Sequence, residues 1–492
     1  MRELEVKLLV DPGVELPPTE ELLAGCGSWT VEEIDQQAVY FDTADLRLTR
    51  SGVSLRYRSD DGWTVKLPEA RDAATFLRQE YGFVGEFGDP PRAAVEFVRA
   101  WVRTEPLGEV CTISTRRRKI SVFDDHGNPA CEIDDDDVTA SVPGGAPQQF
   151  REIEVETHEG GDPQLAPTLV ERLRKAGAGT GDSLPKVARA LGERGIATPD
   201  LVTPTRLART ATLAELVRAS ITGSVQLLLD NDHVVQTGED PEGVHQARVA
   251  TRRLRSNLRT LRPILDRGWS DPLRAELQWL GDQLGHVRDA DVLLGRLRSK
   301  AQELPADRQV PAHALVDRLQ VMRDRDQAVL LDAMRSPRYT LLLEQLVEGA
   351  RSPRMGTTRG AARASKSAAG LARRPWKRLR TTVKQLPGDP TNLALHEVRK
   401  RAKQARYALE AIAPVVGGTA RRTAGRLADL QDILGDQHDA IVAIAWLHDT
   451  AMDTGDPEQA FVAGEIAGSF AADARALQGR WQPAWKRVKR TA

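Results

Sequence analysis

The period of the apolar residues changes partway along the chain, and that change dictates two different folds. Up to about residue 190, apolar and polar residues alternate: Glu3-Leu4-Glu5-Val6-Lys7-Leu8, Val53-Ser54-Leu55-Arg56-Tyr57-Arg58, Trp63-Thr64-Val65-Lys66-Leu67 and Glu152-Ile153-Glu154-Val155-Glu156. A period of two sends successive side chains to opposite faces of a strand, so this part is β-rich. Short helical patterns interrupt it at about 18–25, 90–102 and 163–176. From Thr205 onward, Leu/Ala/Arg segments with a period near 3.6 dominate, and this part is helical. Between them GIATPDLVTPT, residues 195–205, has the Pro, Gly and Thr content of a linker. The expected organisation is a β-rich domain over 1–195, a linker over 196–206 and a helical domain over 207–490.

Charge divides at the same place. The formal net charge of the 492 residues is −1, but residues 1–200 hold 23 Lys+Arg against 37 Asp+Glu, and the remainder 46 against 33. A basic half suits an anionic partner. An acidic half with embedded Lys and Arg suits metal-bridged recognition of an anion. With 40% hydrophobic residues the chain can bury a sizeable core, yet no apolar run approaches the roughly 18–20 residues that cross a bilayer. No membrane partner is expected. The opening MRELEVKLLV lacks the apolar core of a signal peptide, and Cys26, Cys111 and Cys131 are too few and too scattered for a disulfide framework or a zinc site. The cytoplasm is the expected compartment.

The polar strand faces carry the chemistry. Glu3, Glu5 and Lys7 share one face, Ser54, Arg56 and Arg58 a second, Thr64 and Lys66 a third, and Glu152, Glu154 and Glu156 a fourth. A solvated outer face is the ordinary explanation for any one of these. Several strands bearing rows of both carboxylates and cations fit better an antiparallel barrel with a polar interior, where acids hold Mg²⁺ or Mn²⁺ and bases hold phosphate oxygens. In the Asp134–Asp137 run, Asp135 and Asp137 read as a solvated turn, while Asp134 shares a strand face with Glu132.

At these residues the chain resembles the CYTH, or triphosphate tunnel metalloenzyme, family. Glu3-x-Glu5-x-Lys7 is similar to the family's E-x-E-x-K signature. Tyr40-Phe41-Asp42-Thr43, Gly52 to Arg58, Trp63 to Leu67, Arg78-x-Glu80, Arg116 to Lys119, Glu132-Ile133-Asp134, the 152–156 strand and Ser183 with Lys186 follow in the family's order. The resemblance implies a roughly eight-stranded antiparallel tunnel that binds a triphosphate. It implies Glu3, Glu5, Glu154 and Glu156 as metal ligands. Arg56, Arg58, Lys66, Arg78, Arg116, Arg118 and Lys186 would hold the phosphates, and Lys7 with Glu5 would act at the scissile phosphate. A one-residue register difference exchanges Arg116 and Arg118 for Arg117 and Lys119. The family usually has adjacent Ser-Lys, whereas Leu184-Pro185 separate Ser183 from Lys186 here.

The helical half repeats itself. Val244-His245-x-x-Arg248, then Arg252 and Arg255, recurs as Leu395-His396-x-x-Arg399, then Lys403 and Arg406, and Leu280–Ala290 recurs as Leu430–Ala440. Two repeats, about 207–350 and 385–490, are expected. Spacings of three and four keep each histidine and its cations on one helix face, with Val249, Leu254 and Leu261, and Val398, Ala402, Ala405 and Ile412, packing inward. Aligned cations repel unless an anion lies along them, and a linear phosphate polymer fits. These residues resemble the CHAD domain, associated with inorganic polyphosphate. The resemblance implies contacts from His245, Arg248, Arg252, Arg255, His396, Arg399, Lys400, Lys403 and Arg406. Residues 351–384, with eleven basic residues and no acid, either extend that surface or form a flexible connector.

The whole reads as a multidomain α+β protein, an antiparallel β-barrel tunnel followed by an all-α duplicated bundle. The expected function is divalent-metal-dependent hydrolysis of a triphosphate, foremost inorganic triphosphate, beside a polyphosphate-binding module. Thiamine triphosphatase or adenylate cyclase activity, and a non-catalytic polyphosphate-binding or granule-associated protein, stay open as alternatives. No sequence-reading motif supports nucleic acid.

Overall fold

The alternating segments form strands in the computed structural model, which describes residues 4–11, 13–68, 78–158, 161–180, 184–202 and 206–491. Glu3, Ser183 and the side chains of Glu5 and Arg78 lie outside the described residues. The chain divides into two compact units, Met1–Asp200 and Leu201–Ala492.

In the first unit nine strands are described: β1 (Leu4–Val10), β2 (Ser28–Asp42), β3 (Ser54–Arg58), β4 (Gly62–Pro68), β5 (Arg78–Phe83), β6 (Gly108–Phe123), β7 (Pro129–Ser141), β8 (Gln148–Thr157) and β9 (Gly179–Thr180). They make one antiparallel sheet in the order β5-β4-β3-β2-β6-β7-β8-β1-β9. Six short helices accompany it: α1 (Thr19–Leu22), α2 (Arg47–Arg50), α3 (Arg92–Phe97), α4 (Arg99–Val102), α5 (Leu165–Lys175) and α6 (Lys186–Ala190). The expected closed barrel is corrected to an open sheet. Among the described residues no ladder joins β5 to β9, the strands at the two ends of the sheet.

Polarity is inverted relative to a simple globule. On the outer side Leu8, Val10, Ile120, Ile133, Ile153 and Val155 pack against Leu169, Val170 and Leu173 of α5. Further along, Leu55, Trp63 and Val65 pack against Ala94, Phe97, Val98 and Val102 of α3 and α4. Helices cover the apolar faces, so the polar faces are left to line the concave side. At one end of that side Ala38, Ile113, Val138 and Ala140 pack on Val187, Ala190 and Leu191 of the α6 segment. The Asp134–Asp137 run is not a turn. It lies in the middle of β7, where Asp135 is paired with Arg151 at 2.7 Å and only Asp137 is exposed.

Asp42 of the Tyr-Phe-Asp-Thr segment is structural. The Asp42 carboxylate, 1% exposed, accepts hydrogen bonds from the amides of Thr43 (2.7 Å), Leu48 (2.9 Å) and Thr49 (2.8 Å) and from the Thr49 hydroxyl (2.7 Å). Burial pushes its pKa up in spite of those bonds. They brace the turn into α2, where Leu46 is held at φ 60°, in the left-handed region.

The second unit is helical: α7 (Leu213–Asp230), α8 (Asp232–Thr237), α9 (Pro241–Leu261), α10 (Arg267–Gln302), α11 (Ala306–Arg335), α12 (Pro337–Arg351), α13 (Ala364–Ser367), α14 (Ala369–Lys384), α15 (Asn392–Val416), α16 (Gly418–Asp453), α17 (Pro457–Gln478) and α18 (Trp481–Thr491). The two stripes lie on α9 and α15. Leu254, Leu261, Val398, Ala402, Ala405 and Ile412 are buried beneath them, and Val249 is half-buried. The repeated prolines differ in context, since Pro263 follows α9 and Pro414 lies inside α15. No described helix is long and apolar enough to cross a membrane.

Asp42→Ala strands several buried donors and is expected to destabilise the first unit by about 3 kcal/mol. Denaturant unfolding followed by its tryptophans checks this; an unchanged midpoint contradicts it.

Candidate functional site

Pairing across the sheet stacks the inner-face residues into rungs. One rung runs Glu5, Glu156, Glu132 and Ser121; the next Lys7, Glu154, Asp134 and Lys119; the third Leu9, Glu152, Asp136 and Arg117. On the other arm of the sheet Arg58 pairs with Gly62, Arg56 with Thr64, and Lys66 with both Ser54 and Glu80. Lys7, Arg56, Arg58, Lys66, Arg117, Glu132, Asp134, Glu154, Glu156 and Lys186 line one cavity of about 310 Å³. Its walls come from β1 to β8 and the start of α6.

The acidic wall is satisfied by three cations. Lys186 lies 2.7 Å from Glu152, 2.8 Å from Glu154 and 3.0 Å from Asp136. Lys7 pairs with Glu154 and lies 3.6 Å from Glu152. Arg117 pairs with Asp134, meets Asp136 at 2.7 Å and reaches Glu154 at 3.4 Å. Burial opposes ionisation of Glu154, but Lys186, Lys7 and Arg117 together hold its carboxyl well below the usual range. Burial likewise opposes the Lys186 charge, and Glu154, Glu152 and Asp136 hold its pKa well up. Asp134 is the exception. Burial, with Glu132, Asp136 and Glu154 adding to it against Arg117, pushes its pKa from 3.8 to about 7, and its Oδ1 is buried without a hydrogen-bond partner.

The basic wall is looser. Arg56 meets Asp61 at 3.1 Å, Arg58 grips the exposed Asp60 at 3.0 Å, and Lys66 pairs with Glu80. Burial, then the neighbouring Arg56, lowers the Lys66 pKa. These partners sit at the rim, so an incoming phosphate can displace them from the guanidinium and ammonium groups.

Two of the expected phosphate ligands are corrected. Pairing of β6 with β7 sets the side-chain parity so that Arg117 and Lys119 face the rungs. Arg116, with a side chain 76% exposed, lies 3.9 Å from Asp35 on the other face, and Arg118 donates to the Thr19 hydroxyl. A basic run has no internal alternation, so only the strand partner decides its parity. Glu132, Asp136 and Glu152 are functional candidates that the sequence reading left without a role, and Arg117 is the alternative that the register difference offered. The signal for them was the face shared with Glu154 across the β7–β8 register.

A hard divalent cation fits this wall. Its donors are carboxylates, Asp134 keeps an unpartnered buried oxygen, and its raised pKa marks a site where added positive charge is favoured. Among the described residues no three His, Cys, Asp or Glu form a ready-made metal cage; the Glu3 and Glu5 side chains, which would complete the set, are outside them.

In the helical unit the stripes of α9 and α15 converge. Arg252 and Arg406 each lie 5.5 Å from the Tyr407 ring centre. Arg252, Arg255, Arg259, Arg274, Lys400 and Lys403 line a cavity of about 380 Å³. Burial, then Arg399, Arg252 and Arg248, pushes the Lys403 pKa from 10.5 to about 7. Three stripe arginines have carboxylate partners: Asp289 lies 2.6 Å from Arg248, Asp439 lies 3.9 Å from Arg399 and Glu410 lies 2.6 Å from Arg406. Gly285 and Gly435, in the repeated Leu-Gly elements, make room for Arg248 and Arg399. A Cβ at Gly435 would meet Arg399 Nη2 at 3.2 Å, and one at Gly285 would lie 3.8 Å from Arg248 Nη2. The His396 and His438 rings stack at 4.2 Å, and burial with His438 pushes the His396 pKa down to about 4. His245 is lowered by burial and by Arg288. Arg259, Arg274, Tyr407 and His438 are additions to the expected set, contributed from beyond the motifs or from α10 and α16.

A polar-lined antiparallel sheet followed by an all-helical unit with a cationic cleft defines a two-domain α+β protein. The comparisons with known proteins agree: residues 1–188 match the CYTH domain and residues 219–448 the CHAD domain, and the chain belongs to the CYTH–CHAD family. An uncharacterized protein of Mycobacterium tuberculosis is 31% identical over 453 residues, covering 87% of this chain and 82% of that one. Among solved structures, PptA from Streptomyces chartreusis is 23% identical with a TM-score of 0.48, covering 56% of this chain and 100% of its own. The CHAD domain from the plant Ricinus communis is 25% identical with a TM-score of 0.47, covering 58% and 94%.

The folded-state pKa of Asp134 lies above its ordinary value, so its ionisation works against folding and stability is lost as pH rises from about 4 towards 7. In metal-free buffer, Asp134→Asn is expected to raise the melting temperature of the first unit by roughly 2–4 °C at pH 8 and by less at pH 5. Calorimetry at both pH values checks this; an equal change at both contradicts it.

Proposed function

We propose that the first unit hydrolyses a triphosphate, inorganic triphosphate foremost, with a divalent metal, and that the helical unit holds inorganic polyphosphate. The observation that carries the first part is the convergence of Arg56, Arg58, Lys66, Arg117, Lys7 and Lys186 with six carboxylates, those of Asp61, Glu80, Glu132, Asp134, Glu154 and Glu156, on one cavity. Phosphoryl transfer asks a protein chiefly for positioning and charge stabilisation, and this lining consists of groups that supply both. Among the described residues Tyr40 is the one aromatic ring in the lining, and this supports the inorganic substrate over a nucleobase or thiamine ring.

Arg56, Arg58 and Lys66 would orient the chain of phosphates from the looser wall, giving up Asp61, Asp60 and Glu80 to do so. Arg78, which the family resemblance adds to these, would join them; its side chain lies outside the described residues. Lys7, steered by Glu152 and Glu154, would hold the phosphate that is released, and Lys186 and Arg117 would offset the charge of the acidic wall. Glu154 and Glu156, with Glu3 and Glu5, would hold Mg²⁺ or Mn²⁺, which when bound supplies charge neutralisation at a phosphate oxygen.

For the helical unit, the supporting observation is a set of mutually repelling cations in which Arg252 and Lys403, both half-buried, have no ion-paired carboxylate among the described residues. Such a cleft stores unfavourable energy that a polyanion relieves. His245, Arg248, Arg252, Arg255, His396, Arg399, Lys400, Lys403 and Arg406 would contact it. Tethering the two activities on one chain would keep the hydrolase near a pool of phosphate polymer. The three cysteines are unpaired, in keeping with a cytoplasmic location.

With Mg²⁺ or Mn²⁺, Glu154→Gln is expected to lower kcat/KM for triphosphate by about 100-fold or more, and Lys66→Ala to raise KM by about 10-fold. Phosphate release checks both; unchanged turnover in Glu154→Gln contradicts the assignment. A lysine with a lowered pKa is charged below about 7 and neutral above it. Polyphosphate restores the charge, so its binding should take up about one proton at pH 8 and weaken from pH 7 to 9. Calorimetry in buffers of different ionisation enthalpy checks this; proton uptake that survives in Lys403→Gln contradicts it.

A further inference from the structure

We propose that α14 forms a second stretch of the polyanion track, so that the helical unit grips long phosphate polymers beyond the α9–α15 cleft and discriminates them from short ones. This rests on the reading that the cleft holds polyphosphate, and extends it to a surface made by the basic segment whose role the sequence left open.

That segment is no flexible connector over residues 369–384, where it folds as α14. One side of the helix is seated in the core: Leu379 is fully buried, Ala372 is 5% exposed, and Trp376 stacks on Trp485 at 6.0 Å. The other side presents Arg374, Lys377, Arg378, Thr381 and Thr382 at spacings of three and four, which line a cavity of about 670 Å³ together with Arg401 of α15. Among the described residues, no carboxylate lies within ion-pair distance of Arg374, Lys377 or Arg378. These cations are therefore available to an external anion, and two hydroxyls stand among them as additional donors.

The two cavities adjoin along α15, where Lys400 lines the first and Arg401 the second. Arg259 lines the α9–α15 cleft. After burial, the groups that lower its pKa are Arg274, Arg255, Arg401 and Arg378, two from the cleft and two from the α14 cavity. Arg259 thus stands at the junction with cations on both sides. At 1.5 Å per residue, His245 to Arg259 spans about 21 Å of α9, and Arg374 to Thr382 adds about 12 Å on α14. A short oligophosphate satisfies the cleft alone; only a longer chain reaches both.

Arg374, Lys377 and Arg378 are exposed, so replacing all three with alanine leaves the packed side of α14 intact. Binding to the full-length protein is measured by competition with polyphosphates of about 10 and about 100 phosphates, over a range of salt. A control variant lacks the exposed arginines Arg318 and Arg325 and the surface Arg335 of α11. The α14 variant is expected to lose about 10-fold in affinity for the long polymer, with a salt slope shallower by about 2, and less than 2-fold for the short one. The control should lose equally little for both. Equal loss for both lengths, or no loss for either, overturns the second stretch while leaving the cleft standing. A loss confined to single-stranded RNA of matched charge overturns it in favour of a different polymer. Wild-type protein that binds neither polyphosphate overturns the cleft reading and this inference together.

Discussion

Lys186 sits within 3.0 Å of Asp136, Glu152 and Glu154, and Lys7 and Arg117 reach the same carboxylates. This contact makes the inner face of the sheet possible. Asp136 is fully buried and Glu152 nearly so, and a buried carboxylate left unpaired costs several kcal/mol. Lys186 is at the first residue of α6, whose Val187 and Ala190 close the apolar end of the same face. The helix that plugs the sheet therefore also delivers the cation that its acidic wall needs. A cluster satisfied in this way is also one that can exchange partners. On the proposed function, phosphate oxygens would compete for the lysines and arginines, and a divalent cation for the carboxylates.

The two units handle charge by opposite means. In the β unit acids and bases alternate around a small cavity, so each charge has a counter-ion within reach before any ligand arrives. The helical unit gathers cations against one another. Arg252, Lys403 and Arg259 each have a pKa lowered by burial and by neighbouring positive charge. The first arrangement suits a small, densely charged substrate held with metal. The second suits a long polyanion whose repeating charge relieves many repulsions at once.

Much of this was legible in the residues. Glu-Ile-Glu-Val-Glu alternates, so its inner face could be read directly, and the same holds for Arg56 with Arg58 and Thr64 with Lys66. The histidine stripes could be read from their spacing. The failures share a cause. Arg116 to Lys119 and Asp134 to Asp137 are runs of a single charge with no apolar residue to set parity, and only the β6–β7 pairing, Arg117 with Asp136 and Lys119 with Asp134, settles which members face inward. Closure of the sheet was also out of reach, because it depends on backbone pairing between strands distant in sequence. Arg274 and His438 were missed because they reach the cleft from α10 and α16, and a one-helix pattern is blind to neighbouring helices.

On the proposed function, side-chain parity in the β unit separates cations that would meet triphosphate from cations that meet solvent. Arg56 faces the cavity and Arg116 the outside, so the most direct measurement is calorimetric binding of triphosphate to Arg56→Ala and Arg116→Ala. About 10-fold weaker binding is expected for Arg56→Ala and a change below about 2-fold for Arg116→Ala. Equal weakening by the two, or a larger effect from Arg116→Ala, would contradict this separation.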